Sequence, residues 1–140
     1  MTTTTRYATT SAARGDFKHF LDAAFSDQVV TVSRDTHTAA LVDANRLREF
    51  LAQTISADAE VSFEDGAVVI VMPGRPFAVE NNSLAEALDE LVEVLREYAL
   101  DWQLRLRHAV NHRENWGLVQ LTCLSSDNEL KHWLTAAPVE

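Results

Sequence analysis

The sequence is short of cysteine, of clustered glycine and of long apolar runs, and each shortage removes a class of protein. Cys123 is its only cysteine, so no internal disulfide framework can form, and a reducing compartment fits. No apolar run approaches the roughly 18 residues that a membrane-spanning helix needs. The first six residues, Met1 to Arg6, lack the hydrophobic stretch of a secretory signal. A cytoplasmic protein without membrane attachment is therefore expected. The four glycines, Gly15, Gly66, Gly74 and Gly117, stand singly, which leaves no glycine-rich loop to cradle phosphates.

Basic residues are also scarce: 12 Lys and Arg face 21 Asp and Glu, for a net charge of −9. The shortage is uneven. Within the first 34 residues Arg6, Arg14, Lys18 and Arg34 outnumber Asp16, Asp22 and Asp27, so the remainder carries −10. Such segregation suits one end to an anion and the other to a cation. Acidity excludes nucleic-acid binding over the whole surface but leaves room for a local contact, more so if dimerisation doubles a small positive patch.

What is present is a series of short periodic segments. Thr2 to Tyr7 reads as an edge strand, Thr9, Thr10 or Ser11 caps a short helix through Arg14, and Gly15-Asp16 permits a bend. Phe17, Phe20, Leu21, Ala24 and Phe25 recur at helical spacing, predicting a second helix that buries this face. Gln28 to Arg34 and His37 to Val42 read as paired strands, and Asp43 caps a helix with Leu47, Phe50 and Leu51 as its apolar positions. This β-α-α-β-β-α unit, residues 1–53, offers too little core to stand alone, so a homodimer using its strands and the face around Phe17, Leu21, Leu47 and Leu51 is expected. A polar, alanine-bearing linker, 54–59, follows.

Residues 60–140 then predict a second α+β unit, a three-stranded antiparallel sheet plus helices. Glu60 to Glu64 alternates, Asp65-Gly66 is a hairpin signal, Ala67 to Met72 is a strand, and Arg75 to Glu80 follows the Pro73-Gly74 turn. Ser83 with Glu86 makes a capping box ahead of the longest helix, whose apolar stripe runs Leu84, Leu88, Leu91, Leu95, Tyr98, Trp102 and Leu106. Trp116 to Leu124 is an apolar segment, helical or extended. Ser126 with Glu129 opens a terminal helix carrying Leu130, Trp133 and Leu134.

Candidates for catalysis are thin. His108 and His112 are four apart, a spacing that lets one helical face hold a metal, but no HExxH pattern accompanies them, and solvated histidines are expected instead. Cys123, between Leu121 and Leu124 with no basic neighbour, predicts a buried, inert thiol. Asp16, His19 and Asp22 sit on the polar flank of an apolar helix. No enzyme, no metal and no cofactor is expected. The stripe Glu86, Glu90, Glu93, Glu97 has two readings: a solvated face, steadied by pairs such as Asp101 with Arg105, or a docking surface for a basic protein. Likewise Arg14 and Lys18, four apart, with the hydroxyls of Thr9, Thr10 and Ser11, read either as ordinary capping with surface cations or as a phosphate-receiving end.

Ser11-Ala-Ala-Arg14 followed by Phe17, Phe20 and Leu21, then Val29 to Arg34 and Ala40 to Val42, resembles the prevent-host-death (Phd/YefM) antitoxins over residues 7–51. Ala12 stands where that family usually has glutamate, and Asp35-Thr36-His37-Thr38 replaces its usual Asn-Gly-Lys-Pro turn. The resemblance implies a type II antitoxin: a homodimer whose amino-terminal domain binds operator DNA and represses its own operon, and whose carboxy-terminal region neutralises a co-encoded basic toxin, a RelE-like mRNA nuclease. On that basis the expected DNA contacts are Thr9, Thr10, Ser11, Arg14, Lys18 and Arg34, and the expected toxin contacts Glu86, Glu90, Glu93 and Glu97. The alternative is a stand-alone repressor or small-ligand sensor with no toxin partner.

Overall fold

A computed structural model describes residues 4–136 as an α+β protein with two three-stranded sheets and six α-helices. The chain divides into two compact units between Leu47 and Arg48. The first contains β1 (Thr4–Tyr7), α1 (Thr10–Gly15), α2 (Phe17–Phe25), β2 (Val29–Arg34) and β3 (His37–Leu41). The division falls inside α3 (Ala44–Thr54), and the second unit continues with β4 (Glu60–Glu64), β5 (Ala67–Met72), β6 (Phe77–Asn81), α4 (Leu84–Asp101), α5 (Trp116–Leu124) and α6 (Asp127–Thr135). Of the first predicted strand, Thr2 and Thr3 lie outside the described residues.

In the first unit β2 is central. It pairs parallel with β1, Thr4 opposite Val29, and antiparallel with β3, Arg34 opposite His37. A parallel neighbour needs a crossover, which α1 and α2 supply. Thr9 caps α1, its hydroxyl accepting the Ala12 N–H at 3.1 Å, and Asp43 does the same for α3 by accepting from Arg46 N at 3.1 Å. The core is Tyr7, Ala23, Ala24 and Val30, with Phe20, Val32 and Leu41 half-buried against it. The predicted face of α2 is only partly used. Phe17 and Phe25 are 60% and 63% exposed, Phe20 and Leu21 are half-buried, and the fully buried positions are Ala23 and Ala24. A nine-residue helix on a narrow sheet buries only the arc nearest the strands, and here that arc is centred on alanines.

The second sheet is an antiparallel meander, β4-β5-β6. Asp65 (φ 50°) and Gly66 (φ 81°) both take the left-handed conformation that a two-residue I′ hairpin demands. Gly74 (φ 79°) follows Pro73 in a turn closed by Arg75 N–H to the Met72 carbonyl at 3.1 Å. Val68, Ile70 and Met72 alternate inward along β5, and Phe77 and Val79 do so along β6. α4 packs across β5 and β6, burying Leu91, Leu95 and Ala99, and its stripe ends in a π-helical turn, Trp102–Leu106. The predicted apolar segment from Trp116 is helical. Ser83 accepts the Glu86 N–H at 3.2 Å, and Ser126 with Glu129 makes both bonds of a capping box.

Two features of the middle of the chain were not in the sequence reading. Segment 54–59 is fastened to the second unit by side chains distant in sequence: Arg75 donates to the Ser56 and Ala57 carbonyls at 3.1 Å each, and the Trp133 indole donates to the Ile55 carbonyl at 2.7 Å. Leu51, expected at the dimer face of the first unit, is buried in the second, while Phe50 is exposed.

Candidate nucleic-acid and partner interfaces

The cationic end is built on α1 and β2. Thr9 is occupied as the cap of α1, Thr10 and Ser11 are exposed in its first turn, and Arg14 is exposed in its last, with no ion pair among the described residues. Lys18 does not share a helix with Arg14. Gly15 and Asp16 break the run, so Lys18 belongs to α2, where it pairs with Asp22 at 3.1 Å. The four-residue spacing therefore does not put the two cations on one helical face. Arg34, at the end of β2, shares a depression of about 230 Å³ with Thr10, Val32, His37 and Ala39. Thr10 and Arg34 are thus brought together where α1 meets β2. Asp16 accepts from the Tyr7 hydroxyl at 3.2 Å, and burial, followed by this bond, raises the phenol pKa.

At the start of α3, Arg46 makes a bidentate pair with Asp27, both bonds 3.0 Å, which lowers the Asp27 carboxyl below its ordinary value. Asp27 itself has φ 62°, and among the described residues the other non-glycine positions with positive φ are Asp35, Asp58 and Asp65. Aspartate tolerates this conformation because its short side chain hydrogen-bonds locally.

The acidic stripe of α4 is not uniform. Glu90 is half-buried and accepts from Asn81 Nδ2 at 3.2 Å. Asp89 pairs with Lys131, and Asp101 is held bidentate by Arg105 at 2.7 and 2.8 Å, a hydrogen bond that lowers its pKa. Glu86, Glu93 and Glu97 are exposed and have no ion-pair partner among the described residues. Beside this stripe lies a depression of about 540 Å³, lined by Phe77, Val94, Tyr98, Leu100 and Leu104, with Glu97 also on its wall. Sequence reasoning passed over Leu100 and Leu104. Their signal is a pair of leucines four apart, off the apolar stripe that ends at Leu106.

His108 is exposed, whereas His112 and Cys123 sit differently from expectation. His112 is hydrogen-bonded through Nδ1 to the Tyr98 hydroxyl at 2.9 Å, and that hydroxyl also accepts from Asn115 Nδ2 at 2.8 Å. Trp102 Nε1 donates to the His112 carbonyl at 2.8 Å. His108 lies in the turn beyond the π-helical segment, so no helical face holds both rings. Among the described residues no group of three or more His, Cys, Asp or Glu is placed to hold a metal. Cys123 is exposed, which corrects the buried thiol: Leu121, two residues before it, faces the core from another side of α5.

Comparison with known proteins decides the family. A family model described as an antitoxin of toxin–antitoxin, RelE/RelB, TA system matches residues 4–131. The chain belongs to this antitoxin family. Membership makes it a regulatory protein of a type II toxin–antitoxin system and implies a toxin partner. No curated protein is significantly similar to this antitoxin in sequence. A crystal structure of an antitoxin part of a proposed toxin/antitoxin system from Syntrophomonas wolfei subsp. wolfei has a similar fold, with TM-score 0.76 and 24% identity. The similarity covers 94% of this chain and 95% of that one. Among the described residues, no helix of this antitoxin is long and apolar enough to cross a membrane.

Proposed function

We infer that this chain neutralises a co-encoded basic toxin of the RelE-like mRNA-nuclease class and represses its own operon as a cytoplasmic homodimer, in the manner of the Phd/YefM antitoxins. The match of the antitoxin family model over residues 4–131 carries this reading. Division of labour follows the charge. The first unit balances its basic and acidic residues, five of each, while the second carries the net charge of −9; the first takes operator DNA through Arg14, Thr10, Ser11 and Arg34, with Thr9 ordering the helix start and Lys18 nearby. Its core of Tyr7, Ala23, Ala24 and Val30 is small, which favours dimerisation through exposed apolar groups such as Phe17 and Phe25. The acidic second unit takes the toxin. In the test, the neighbouring small basic reading frame is expressed alone and with this chain. Growth arrest relieved by co-expression, and retarded migration of the DNA upstream of the operon, are expected. A chain that shifts that DNA but relieves no arrest would instead be a stand-alone repressor.

A further inference from the structure

The second unit keeps apolar surface that its own core does not use. Leu100 and Leu104 are 61% and 73% exposed, one turn apart, on the wall of the 540 Å³ depression whose floor includes Phe77, Val94 and Tyr98. Phe77 and Tyr98 meet edge to face at 5.0 Å, so the floor is fixed by packing. An exposed apolar patch with a polar rim marks an interaction surface. The carboxylates on its lining are Glu97, which has no ion-pair partner among the described residues, and Asp101, which Arg105 offsets; Glu93, likewise unpaired there, lies one helical turn before Glu97 on α4.

We propose that this groove seats a basic amphipathic segment of the toxin. Apolar side chains of that segment lie against Leu100, Leu104, Phe77 and Tyr98, and its Lys or Arg side chains face Glu93 and Glu97. The helix-in-groove mode places affinity in the apolar anchors and leaves the charges to govern encounter and partner choice. A second copy of this chain is a poor occupant, since it would bring another acidic rim against this one. Phe63 is also exposed, but on the edge strand β4 and outside the groove. The proposal rests on the reading of the second unit as toxin-binding.

The test is binding kinetics between the full chain and the toxin encoded beside it. Leu100→Ser with Leu104→Ser should speed dissociation roughly 100-fold, about tenfold for each leucine withdrawn from a buried contact. Phe63→Ser should change it less than about twofold. Glu93→Gln with Glu97→Gln should slow association several-fold at low salt and leave dissociation nearly unchanged. All these positions are exposed, and unchanged thermal unfolding verifies that the variants fold. A toxin that leaves the leucine variant as slowly as the parent overturns the groove while toxin neutralisation stands. A parent that binds no toxin overturns both. Leucine substitutions that break up an oligomer of the antitoxin alone, in sedimentation, assign the groove to a second copy and overturn the proposal.

Discussion

Replacing Arg96 with methionine should unfasten the helices of the second unit. Arg96, on α4, donates through its guanidinium to the carbonyl oxygen of Thr122 and to that of Ser125 at 2.8 Å, and pairs with Asp127 at 2.8 Å. Thr122 and Ser125 are buried at the carboxy-terminal end of α5, where helix carbonyls lack intrahelical partners. A hydrogen bond to a charged donor contributes about 1.5–3 kcal/mol, and leaving a buried acceptor unpaired costs a similar amount. The Arg96 side chain is 36% exposed, so water replaces part of the loss, and about 2–4 kcal/mol is expected for Arg96→Met. In urea this moves the midpoint of the second unit's transition down by about 1–2 M. Arg96→Lys should be nearly as damaging, since one ammonium cannot reproduce a fork aimed at two carbonyls. Asp127→Asn is the internal control: the pair is exposed, and its loss should cost less than about 1 kcal/mol. If Arg96→Met costs no more than Asp127→Asn, the guanidinium does not hold α5, and the reasoning fails.

Other predictions use the same assays or simpler ones. The Glu129 carboxyl is lowered first by the Ser126 backbone N–H, against opposing desolvation, and then by the Ser126 hydroxyl and Arg48. A depressed carboxylate stabilises above the ordinary glutamate pKa of about 4.5 and loses this as pH falls through the folded-state value. The stability gap between parent and Glu129→Gln should therefore shrink in urea titrations taken well below that pH, and a pH-independent gap would contradict it. Cys123 should react with a water-soluble thiol reagent in the native protein within about tenfold of the unfolded rate, because it is exposed; labelling that waits for unfolding would put the thiol inside. Arg14→Ala should weaken operator binding by about 1–3 kcal/mol if the guanidinium reads a base edge, and an unchanged mobility-shift titration with an intact fold would remove Arg14 from the interface.

Features that a few adjacent residues determine were legible in the chain. Asp65-Gly66 specifies its hairpin because both positions need positive φ, Ser126 and Glu129 cap a helix wherever it packs, and Asp101 meets Arg105 because they are one turn apart. Features that depend on which face meets which neighbour were not. The repeat Phe17, Phe20, Ala24 marks an apolar arc, but the width of the sheet beneath α2 decides that Ala23 and Ala24 are covered and Phe17 and Phe25 are not. Leu51 has the right spacing for the first unit, yet α3 runs across the division and delivers it to the second. The ties on segment 54–59 come from Arg75 and Trp133, the latter 78 residues away from Ile55, and no local pattern encodes such a bond.

The same distinction governs the candidate interfaces. Arg14 and Lys18 were grouped by a helical spacing that one bend at Gly15-Asp16 dissolves, whereas Thr10 and Arg34 share a depression because α1 packs against β2. The carboxylates of α4 drew notice as a charge stripe, but charge on an exposed helix has little energetic value until something lies beside it. What lies beside Glu97 is set by topology: β6 leads into α4 and the helix returns antiparallel, so Phe77 at the start of the strand meets Tyr98 near the end of the helix. Only that return turns Leu100 and Leu104 from two stray leucines into the wall of a groove with an acidic rim. For binding a toxin, desolvated apolar anchors then determine residence time and the carboxylates mainly affect the rate of encounter.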